Sequence, residues 1–515
     1  MSIGPCGRLL AATLVALAPT GMAKAESLAD AIALAYQNNP TLQAQRATQR
    51  AIDENYVQAR TGWRPTLSLG GRLQYNETRT PKAAAGQDTN ADGIPDSFGS
   101  FGIRESNSAA TQLSFTQPLW TGGRVAASVN AANAEVLAGR ENLRRVEAQV
   151  LAQVIQAYSD TRRDQESVRI RQENVKVLTR QLQESQARFD VGEVTRTDVA
   201  QSQARLAQAQ AQLQSAIAQL AGTRANYATL VGQNPGELEP EPSLAYMLPS
   251  DPDEAFKLAE QFSPLLRAQQ FTEQASRARV AGARAERMPS VNAQVTYGFS
   301  GPAFPDRPAD SFQRDLFQRG VTATVNGSVP LFSGGLVSSR IRQAVERNNA
   351  DRISTEGVRR TVMQNVTQSW SQLLAARANI SSSEEQVRAA RIAAEGTRQE
   401  QQVGLRTTID VLNAEQELRQ AELNQVSSRR DEIVASASVL ATMGRLEARN
   451  LVPASPSYDA AKNFRKLRMT WGWVPWEEPV GILDRDLSAW PSKTPTEGAQ
   501  EPTIGPGIAP AKAPS

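Results

Sequence analysis

The sequence predicts an α+β membrane protein in which an internally duplicated chain combines pairs of β-strands with very long α-helices. Three observations lead to this fold class. Motifs recur at a fixed separation, four segments of about ten residues alternate apolar and polar side chains, and proline-free stretches carry apolar residues at heptad spacing. The alternation indicates strands, and the heptads indicate helices packed side by side.

The composition argues against several functional classes. The 515 residues include 56 Lys+Arg and 53 Asp+Glu, so the net charge is small and a nucleic-acid partner is not expected. Histidine is absent, and the single cysteine is Cys6. Cys/His zinc sites, disulfides, thiol nucleophiles and histidine acid–base catalysis are therefore not expected, and the chain is not predicted to be an enzyme or to need a cofactor.

Residues 1–25 are predicted to be a signal peptide that is cleaved on export. Arg8 supplies a positive start, Leu9 to Ala18 form an apolar run, and Ala23-Lys24-Ala25 fits a small-x-small cleavage site. The apolar run is too short to cross the roughly 30 Å of hydrocarbon in a bilayer. No later segment reaches about 18 uninterrupted apolar residues, so a membrane-spanning form would have to cross by strands.

The chain is predicted to contain two copies of one structural repeat, residues 26–238 and 239–450. Three motifs of the first copy recur 212 residues later, and a fourth, nearer its start, recurs 224 residues later. The first copy therefore carries additional residues before its second strand. The matching pairs are Gln117–Gly123 with Val329–Gly335, Val191–Gly192 with Val403–Gly404, Gly232 with Gly444, and Asn39–Leu42 with Ser263–Leu266.

Each copy is expected to contain a strand pair, at about 66–118 and about 290–331. Two interpretations fit the alternation: a soluble sheet resting on a core, or a transmembrane barrel with lipid outside and water inside. About ten residues is the length that a tilted spanning strand needs. Because open edges cannot lie in lipid and four strands are too few to close a barrel, several copies of the chain would have to share one barrel.

A long helical hairpin is predicted to follow each strand pair, at about 124–232 and about 338–445. Val168, Val175 and Leu182 recur every seven residues, which indicates coiled-coil packing. Beyond the repeats, residues 451–490 are rich in tryptophan, and we expect them to be a packing anchor against a neighbouring subunit or the barrel base rather than a ligand site. Residues 491–515 are rich in proline and are predicted to be disordered.

The signal peptide, the duplicated strand-and-helix unit, the PLW-TGG and PLF-SGG turns and the paired VG-x-x-T-x-x-D helix tips together resemble the TolC family of outer-membrane channel-tunnels. The resemblance covers roughly residues 26–450, and it is the ordered set of motifs that carries it. It implies a homotrimer, in which three chains form a 12-stranded barrel in the outer membrane of a Gram-negative cell. A long α-helical coiled-coil barrel would continue this β-barrel across the periplasm.

The same resemblance implies an exit duct that passively conducts drugs, small molecules or unfolded proteins. Its partners would be a periplasmic adaptor (membrane fusion) protein, an inner-membrane transporter of the RND, ABC or MFS type, and outer-membrane lipid. The tail segment Tyr458–Trp471 looks like the secretion-type branch of the family, so drug efflux and type I secretion both stay open.

Two short motifs mark the predicted turns at the ends of the hairpins. Thr195-x-x-Asp198 and Thr407-x-x-Asp410 follow Gly192 and Gly404. Each motif is typical of a capping box that restarts a helix after a tight turn, with the acid favoured by the helix dipole. A capping role does not exclude a second role.

The resemblance to the TolC family implies that second role, the closing of the tunnel at its periplasmic tip. By motif position, Thr197, Asp198 and Arg406 match the gating partners of the family. Gln401 stands where the family prototype has a gating tyrosine. We therefore expect the closed state to be held differently here.

An entrance ring is implied at the same tip. Asp410 matches a ring acid of the family, whereas Asn413 stands where the prototype has a second ring acid. A trimer would then carry three carboxylates in the ring instead of six. Because rings of like charge select permeant ions, we expect a mild cation preference.

An acidic loop lies in the additional residues of the first copy. Asp88, Asn90, Asp92 and Asp96 follow the D-x-N-x-D-G pattern that opens an oxygen-ligand calcium loop. Gly99 stands where a complete pattern has a glutamate. Calcium binding in an extracellular loop and a plain acidic turn therefore both remain open.

The alternative function is that of a periplasmic coiled-coil adaptor or scaffold without a pore. Adaptors usually carry one hairpin and no lipid-facing strands. The four alternating segments and the duplication favour the duct.

Overall fold

A computed structural model describes most of the chain between Glu26 and Ser488. The predicted signal peptide, the proline-rich tail and the acidic loop residues Asp88, Asn90, Asp92 and Asp96 lie outside the described residues. Calcium binding by that loop therefore remains a prediction, which calorimetry on the mature protein would test. The described residues are 26–80, 86–87, 97–98, 102–303, 317–453, 457–467, 469 and 471–488.

The described chain is predominantly helical, with one four-stranded antiparallel sheet and one small strand pair. None of its helices combines the length and the apolar composition that a membrane crossing requires. The helices are α1 (Leu28–Asn38), α2 (Pro40–Arg60), α3 (Arg124–Asp190), α4 (Arg196–Val231), α5 (Pro252–Phe262), α6 (Pro264–Ala285), α7 (Leu336–Gln402), α8 (Thr408–Thr442), α9 (Ala448–Leu451), α10 (Ala461–Leu467) and α11 (Glu477–Asp486). The strands are β1 (Thr66–Thr80), β2 (Gly86–Gln87), β3 (Ser97–Phe98), β4 (Gly102–Trp120), β5 (Ser290–Gly301) and β6 (Gln318–Ser328).

The duplication is visible in the backbone. Helices α3 and α7 both contain 67 residues, about 100 Å at 1.5 Å per residue. Each begins after a glycine with positive φ, Gly123 at 86° and Gly335 at 83°. Each ends at a turn with another, Gly192 at 83° and Gly404 at 79°. Because left-handed backbone is costly for other residues, these glycines determine where both long helices start and where both hairpins turn.

The four main strands pair in the order β1-β4-β5-β6, and the pairing separates an apolar face from a polar face. Residues paired across antiparallel strands share a face of the sheet. The apolar face contains the row Leu69–Leu113–Tyr297–Val321, and the polar face contains the neighbouring row Ser68–Ser114–Thr296–Thr322. The apolar side chains are exposed, with Leu69 at 78% and Val321 at 65%. Within one chain the sheet therefore presents a full apolar surface to its surroundings.

The helices that adjoin the sheet are arranged in the same order as the strands to which they connect. Contacts run from α2 to α3, from α3 to α6 and from α6 to α7, so these four helices lie side by side below the sheet. The main core lies farther down, where α1 and α5 pack against the middle of the long helices. Leu151 and Ile155 of α3, Leu373 of α7 and Leu440 of α8 are fully buried there. This core holds the two repeats together.

The long helices α3 and α7 differ in how much of their surface is buried by other elements of the same chain. Burial in α3 begins at Val125, directly after its start, because α2 and α6 flank it. In α7 the first buried residue is Val362, about 40 Å along the helix. The turn that precedes α7 is also bare, with Leu331 at 93% and Phe332 at 90% exposure. One side of the chain is therefore left uncovered from β6 down the upper part of α7.

Candidate channel entrance

The first hairpin tip joins α3 to α4 through a turn at Gly192. The Thr195 hydroxyl donates to Asp198 Oδ2 at 2.7 Å, and the Thr195 backbone N–H donates to the same oxygen at 3.0 Å. In return, the Asp198 N–H donates to Thr195 Oγ1 at 3.3 Å. The predicted capping box is present, and it holds the Asp198 carboxylate against its own helix. Thr197 lies beside it with an exposed side chain.

The second tip repeats this arrangement between α7 and α8. The hydroxyl and the backbone N–H of Thr407 donate to Asp410 Oδ2 at 2.8 and 3.1 Å. The Thr407 hydroxyl, then its N–H, and the nearby Arg406 lower the pKa of Asp410 below its ordinary value of 3.8. Hydrogen bonds to the charged form favour ionisation, so Asp410 is a carboxylate at neutral pH.

Arg406 forms an ion pair within its own hairpin. Its Nε lies 2.8 Å from Glu400 Oε2 at the end of α7, and this contact raises the pKa of the guanidinium. Because the capping box occupies Asp198 and Glu400 pairs with Arg406, these two of the predicted gating residues each bind within their own tip. Gln401, another residue of the predicted gate, is buried near the end of α7.

Asn413 takes part in a contact between the two hairpins that the sequence did not predict. Its Oδ1 accepts a hydrogen bond from Arg205 Nη2 of α4 at 3.0 Å, while Arg205 Nη1 donates to Gln416 Oε1 at 2.6 Å. Arg205 and Asn413 lie on different repeats, and no local motif marks Arg205 as a partner. Asn413 therefore links the two hairpins.

Both tips expose large apolar side chains to water. Val191 at the first tip is 72% exposed, and Val403 and Leu405 at the second tip are 70% and 77% exposed. Clustered apolar residues at the far end of a long, otherwise polar helical hairpin are typical of a contact surface for another protein.

The sequence matches the family described as "Outer membrane efflux protein" over residues 31–233 and 255–445, which is most of the chain and falls on the two repeats. The chain belongs to the outer membrane efflux protein family. This family consists of outer-membrane channel proteins rather than enzymes. The resemblance to the TolC family inferred from the motifs is confirmed.

Individual relatives agree with this assignment. The outer membrane efflux protein BepC of Brucella suis is 31% identical over 471 residues, covering 90% of this chain and 96% of BepC. The alkaline protease secretion protein AprF of Pseudomonas aeruginosa is 27% identical over 405 residues, covering 78% and 80%. Among solved structures, the outer-membrane channel OprN superposes with a TM-score of 0.66 at 21% identity, covering 81% of this chain and 89% of OprN.

This outer membrane efflux protein is therefore an exit duct in the outer membrane of a Gram-negative cell, for efflux or type I secretion. The described chain combines long polar hairpins with a sheet that exposes an apolar face.

Proposed function

We propose that three copies of this chain form one duct, with a 12-stranded barrel in the outer membrane and a closed tunnel of helices below it. The observation that carries the proposal is the sheet itself. It exposes an apolar face, and its edge strands β1 and β6 each have one edge without a strand partner in the described part of the chain. Edges of this kind are not tolerated in lipid, so β6 of one copy would pair with β1 of the next.

The uncovered side of α7 supports the same arrangement. Within one chain α2, α3, α6 and α7 lie in order, and α7 is the last of them. A neighbouring copy would bring its α2 against the bare upper part of α7 and cover Leu331 and Phe332. Repeating this contact three times closes the tunnel as well as the barrel.

The hairpin tips would form the periplasmic entrance. In the trimer the gate would involve Thr197, Asp198, Gln401 and Arg406, and three Asp410 carboxylates would form the ring. The low pKa of Asp410 supports a ring that stays charged at neutral pH. Asn413 would add no charge, which supports a weaker cation preference than a double ring would produce.

The apolar tips are the proposed contact for a periplasmic adaptor (membrane fusion) protein. Val191, Val403 and Leu405 supply exposed apolar area that an adaptor's helices would cover. An inner-membrane transporter of the RND, ABC or MFS type would then deliver the cargo. A tunnel wall needs only to be wet and wide, so we assign cargo choice to these partners.

Paired cysteines test the shared barrel. The chain's single cysteine is Cys6, in the predicted signal peptide, so introduced cysteines would stand alone in the mature protein. Ser68→Cys on the polar face of β1 would be combined, one at a time, with Gly320→Cys, Thr322→Cys, Thr324→Cys and Asn326→Cys on the polar face of β6. We expect oxidation to produce covalent dimers and trimers on a denaturing gel for one or two of these pairs.

The matched controls combine Ser68→Cys with Val321→Cys or Ala323→Cys, which lie on the opposite face of β6. These pairs should not cross-link, because their side chains point to different sides of the barrel wall. A series in which every pair stayed monomeric, or in which both faces cross-linked equally, would contradict the shared barrel.

A further inference from the structure

The C-terminal segment runs along α2 toward the sheet. Near its start, Asn463 Nδ2 donates to Asp53 Oδ2 in the middle of α2 at 2.9 Å. Farther on, the fully buried Glu477 pairs with Arg60 at 2.6 Å and with Arg64 at 2.8 Å. Arg64 comes just before β1, so the segment reaches the level at which the strands begin.

A tryptophan contact shows on which side of the sheet the segment lies. Trp476 Nε1 donates to Gln117 Oε1 at 3.0 Å. Along β4, Gln117 alternates with Phe115 and Leu113, which pair with the leucines of β1 on the apolar face. Because alternate residues of a strand share a face, the tryptophan segment lies on the apolar side, directly below the apolar surface of the sheet.

The segment leaves its large apolar side chains uncovered at this position. Trp471 is fully exposed, and Gly472 beside it approaches Arg64. Among the described residues between α10 and α11, the other large apolar side chains that are exposed are Met469, Trp473 and Trp476. Glu477, directly after Trp476, is turned inward and buried, whereas the next residue, Glu478, is exposed.

The same segment is basic. Residues 461–476 contain four basic residues and no acidic residue. Lys462 and Lys466 are exposed on α10, while Arg465 pairs with Asp459. The exposed lysines lie on α10, level with the middle of α2, and the exposed tryptophans follow closer to the sheet. Basic and aromatic side chains in this order below an apolar sheet face match the chemistry of a membrane–water interface.

We propose that residues 461–467, 469 and 471–476 form an interfacial anchor that binds anionic phospholipid headgroups in the periplasmic leaflet of the outer membrane. The proposal rests on the proposed function, because it requires the apolar sheet face to lie in lipid. The tryptophan rings occupy the boundary between acyl chains and headgroups, and Lys462 and Lys466 contact lipid phosphates. A second copy of this chain carries a formal net charge of +3, so charge complementarity with these basic residues favours anionic lipid as the occupant of this surface.

Lipid quenching of a site-specific label tests the location. Met469→Cys would carry a fluorophore, in protein reconstituted into nanodiscs that contain a lipid quencher at headgroup depth. The matched control is Tyr246→Cys, because Tyr246 is also exposed. It lies close to Leu244, which belongs to the core around the middle of α3, about 30 Å farther from the sheet than residue 469. We expect quenching at 469 to exceed quenching at 246 at least about threefold.

The charge requirement is tested with a double variant, Lys462→Gln with Lys466→Gln. Quenching of the fluorophore at 469 by a quencher-labelled phosphatidylglycerol would be compared with quenching by a quencher-labelled phosphatidylcholine. We expect a preference of about threefold or more for phosphatidylglycerol, falling to near one in the double variant. The control Lys257→Gln, an exposed lysine on α5 near the central core, should keep the preference.

Two results would overturn the anchor. One is equal quenching at 469 and 246. The other is a fluorophore at 469 that is shielded from lipid, together with a photo-crosslinker attached to the same cysteine that joins the chain to a second copy. Trimer formation and single-channel conductance would be measured for every variant. If the variants form trimers but the label at 469 is not quenched, the anchor alone is rejected. If the unmodified protein itself forms no trimers, the proposed function is rejected.

Discussion

Asp484 is fully buried at the junction between the sheet and the tunnel helices. Its carboxylate accepts hydrogen bonds from the backbone N–H groups of Thr121, Gly123 and Ala126 at 2.7, 3.1 and 3.3 Å. The indole N–H of Trp63 also donates to it, at 3.2 Å. The first N–H groups of a helix have no partner within the helix, and negative charge is favoured there. Asp484 therefore joins α11 to the start of α3.

Replacing this carboxylate should weaken the junction. Asp484→Ala leaves several buried donors without an acceptor, each worth about 1–3 kcal/mol, and we expect a clear fall in melting temperature. Circular dichroism of the detergent-solubilised protein would measure it. Asp486→Ala, an exposed acid two residues away, should have little effect. Equal melting temperatures for the two variants would exclude a junction role for Asp484.

Asp410 is the residue proposed to determine ion selectivity at the entrance. Asp410→Ala should bring the cation-to-anion permeability ratio close to one, because the proposed ring loses its charge. Thr407→Ala removes the hydroxyl that contributes most to lowering the pKa of Asp410 but keeps the carboxylate. Bilayer recordings would measure the permeability ratio. Unchanged selectivity in Asp410→Ala would show that Asp410 does not face the ion path.

The pH dependence of that selectivity follows from the direction of the pKa shift. In the unmodified protein, cation preference should persist at neutral pH and fade only as pH drops through the lowered pKa of Asp410, below 3.8. In Thr407→Ala the pKa should rise toward its ordinary value, so the preference should fade at a higher pH than in the unmodified protein. Recordings over a pH series would measure the difference between the two midpoints.

At the scale of elements, equivalent turns in the two repeats have different surroundings. Gly232 ends α4 and Gly444 follows α8, with φ of 93° and 72°. A Cβ at Gly444 would lie 2.2 Å from the carbonyl oxygen of Phe262, whereas the nearest atom to a Cβ at Gly232 is Asn38 Cβ at 3.9 Å. The second position is therefore closed by the end of α5, and the first is open.

This difference predicts unequal costs for the same substitution. Gly232→Ala should cost only left-handed backbone strain, about 1–2 kcal/mol. Gly444→Ala adds a backbone clash that α5 must move to relieve, and we expect about 4 kcal/mol or more. Thermal melting and yield of folded protein would compare the two variants. Matching losses would mean that the approach of α5 to this turn does not limit stability.

At the scale of the whole molecule, the hairpin tips are the proposed gate of the duct. Arg406→Ala removes the pairing with Glu400 and the positive charge proposed for the gate, so single-channel conductance should rise about twofold or more. The matched control is Arg188→Ala, which removes an ion pair with Glu184 within the first hairpin. An Arg406→Ala channel with the conductance of the control would count against a gating role.

Much of the architecture was predictable because it depends on local chemistry. The left-handed turns need glycine, so Gly123 and Gly335 indicate where the long helices begin. The period-two alternation in residues 66–76 requires one apolar face, and the observed pairing has one. Thr195 with Asp198 and Thr407 with Asp410 are three residues apart, so their capping boxes form within one turn.

The sequence by itself determined the duplication, the strand and helix types and the family of this outer membrane efflux protein, since each depends on neighbours within a few residues or on ordered motifs. Only the tertiary structure showed that Asp484 caps α3, that Arg205 holds Asn413, and that the tryptophan segment lies on the apolar side of the sheet. These contacts join residues about 200 or more positions apart, and no local spacing encodes which distant side chain packing will bring within hydrogen-bond distance.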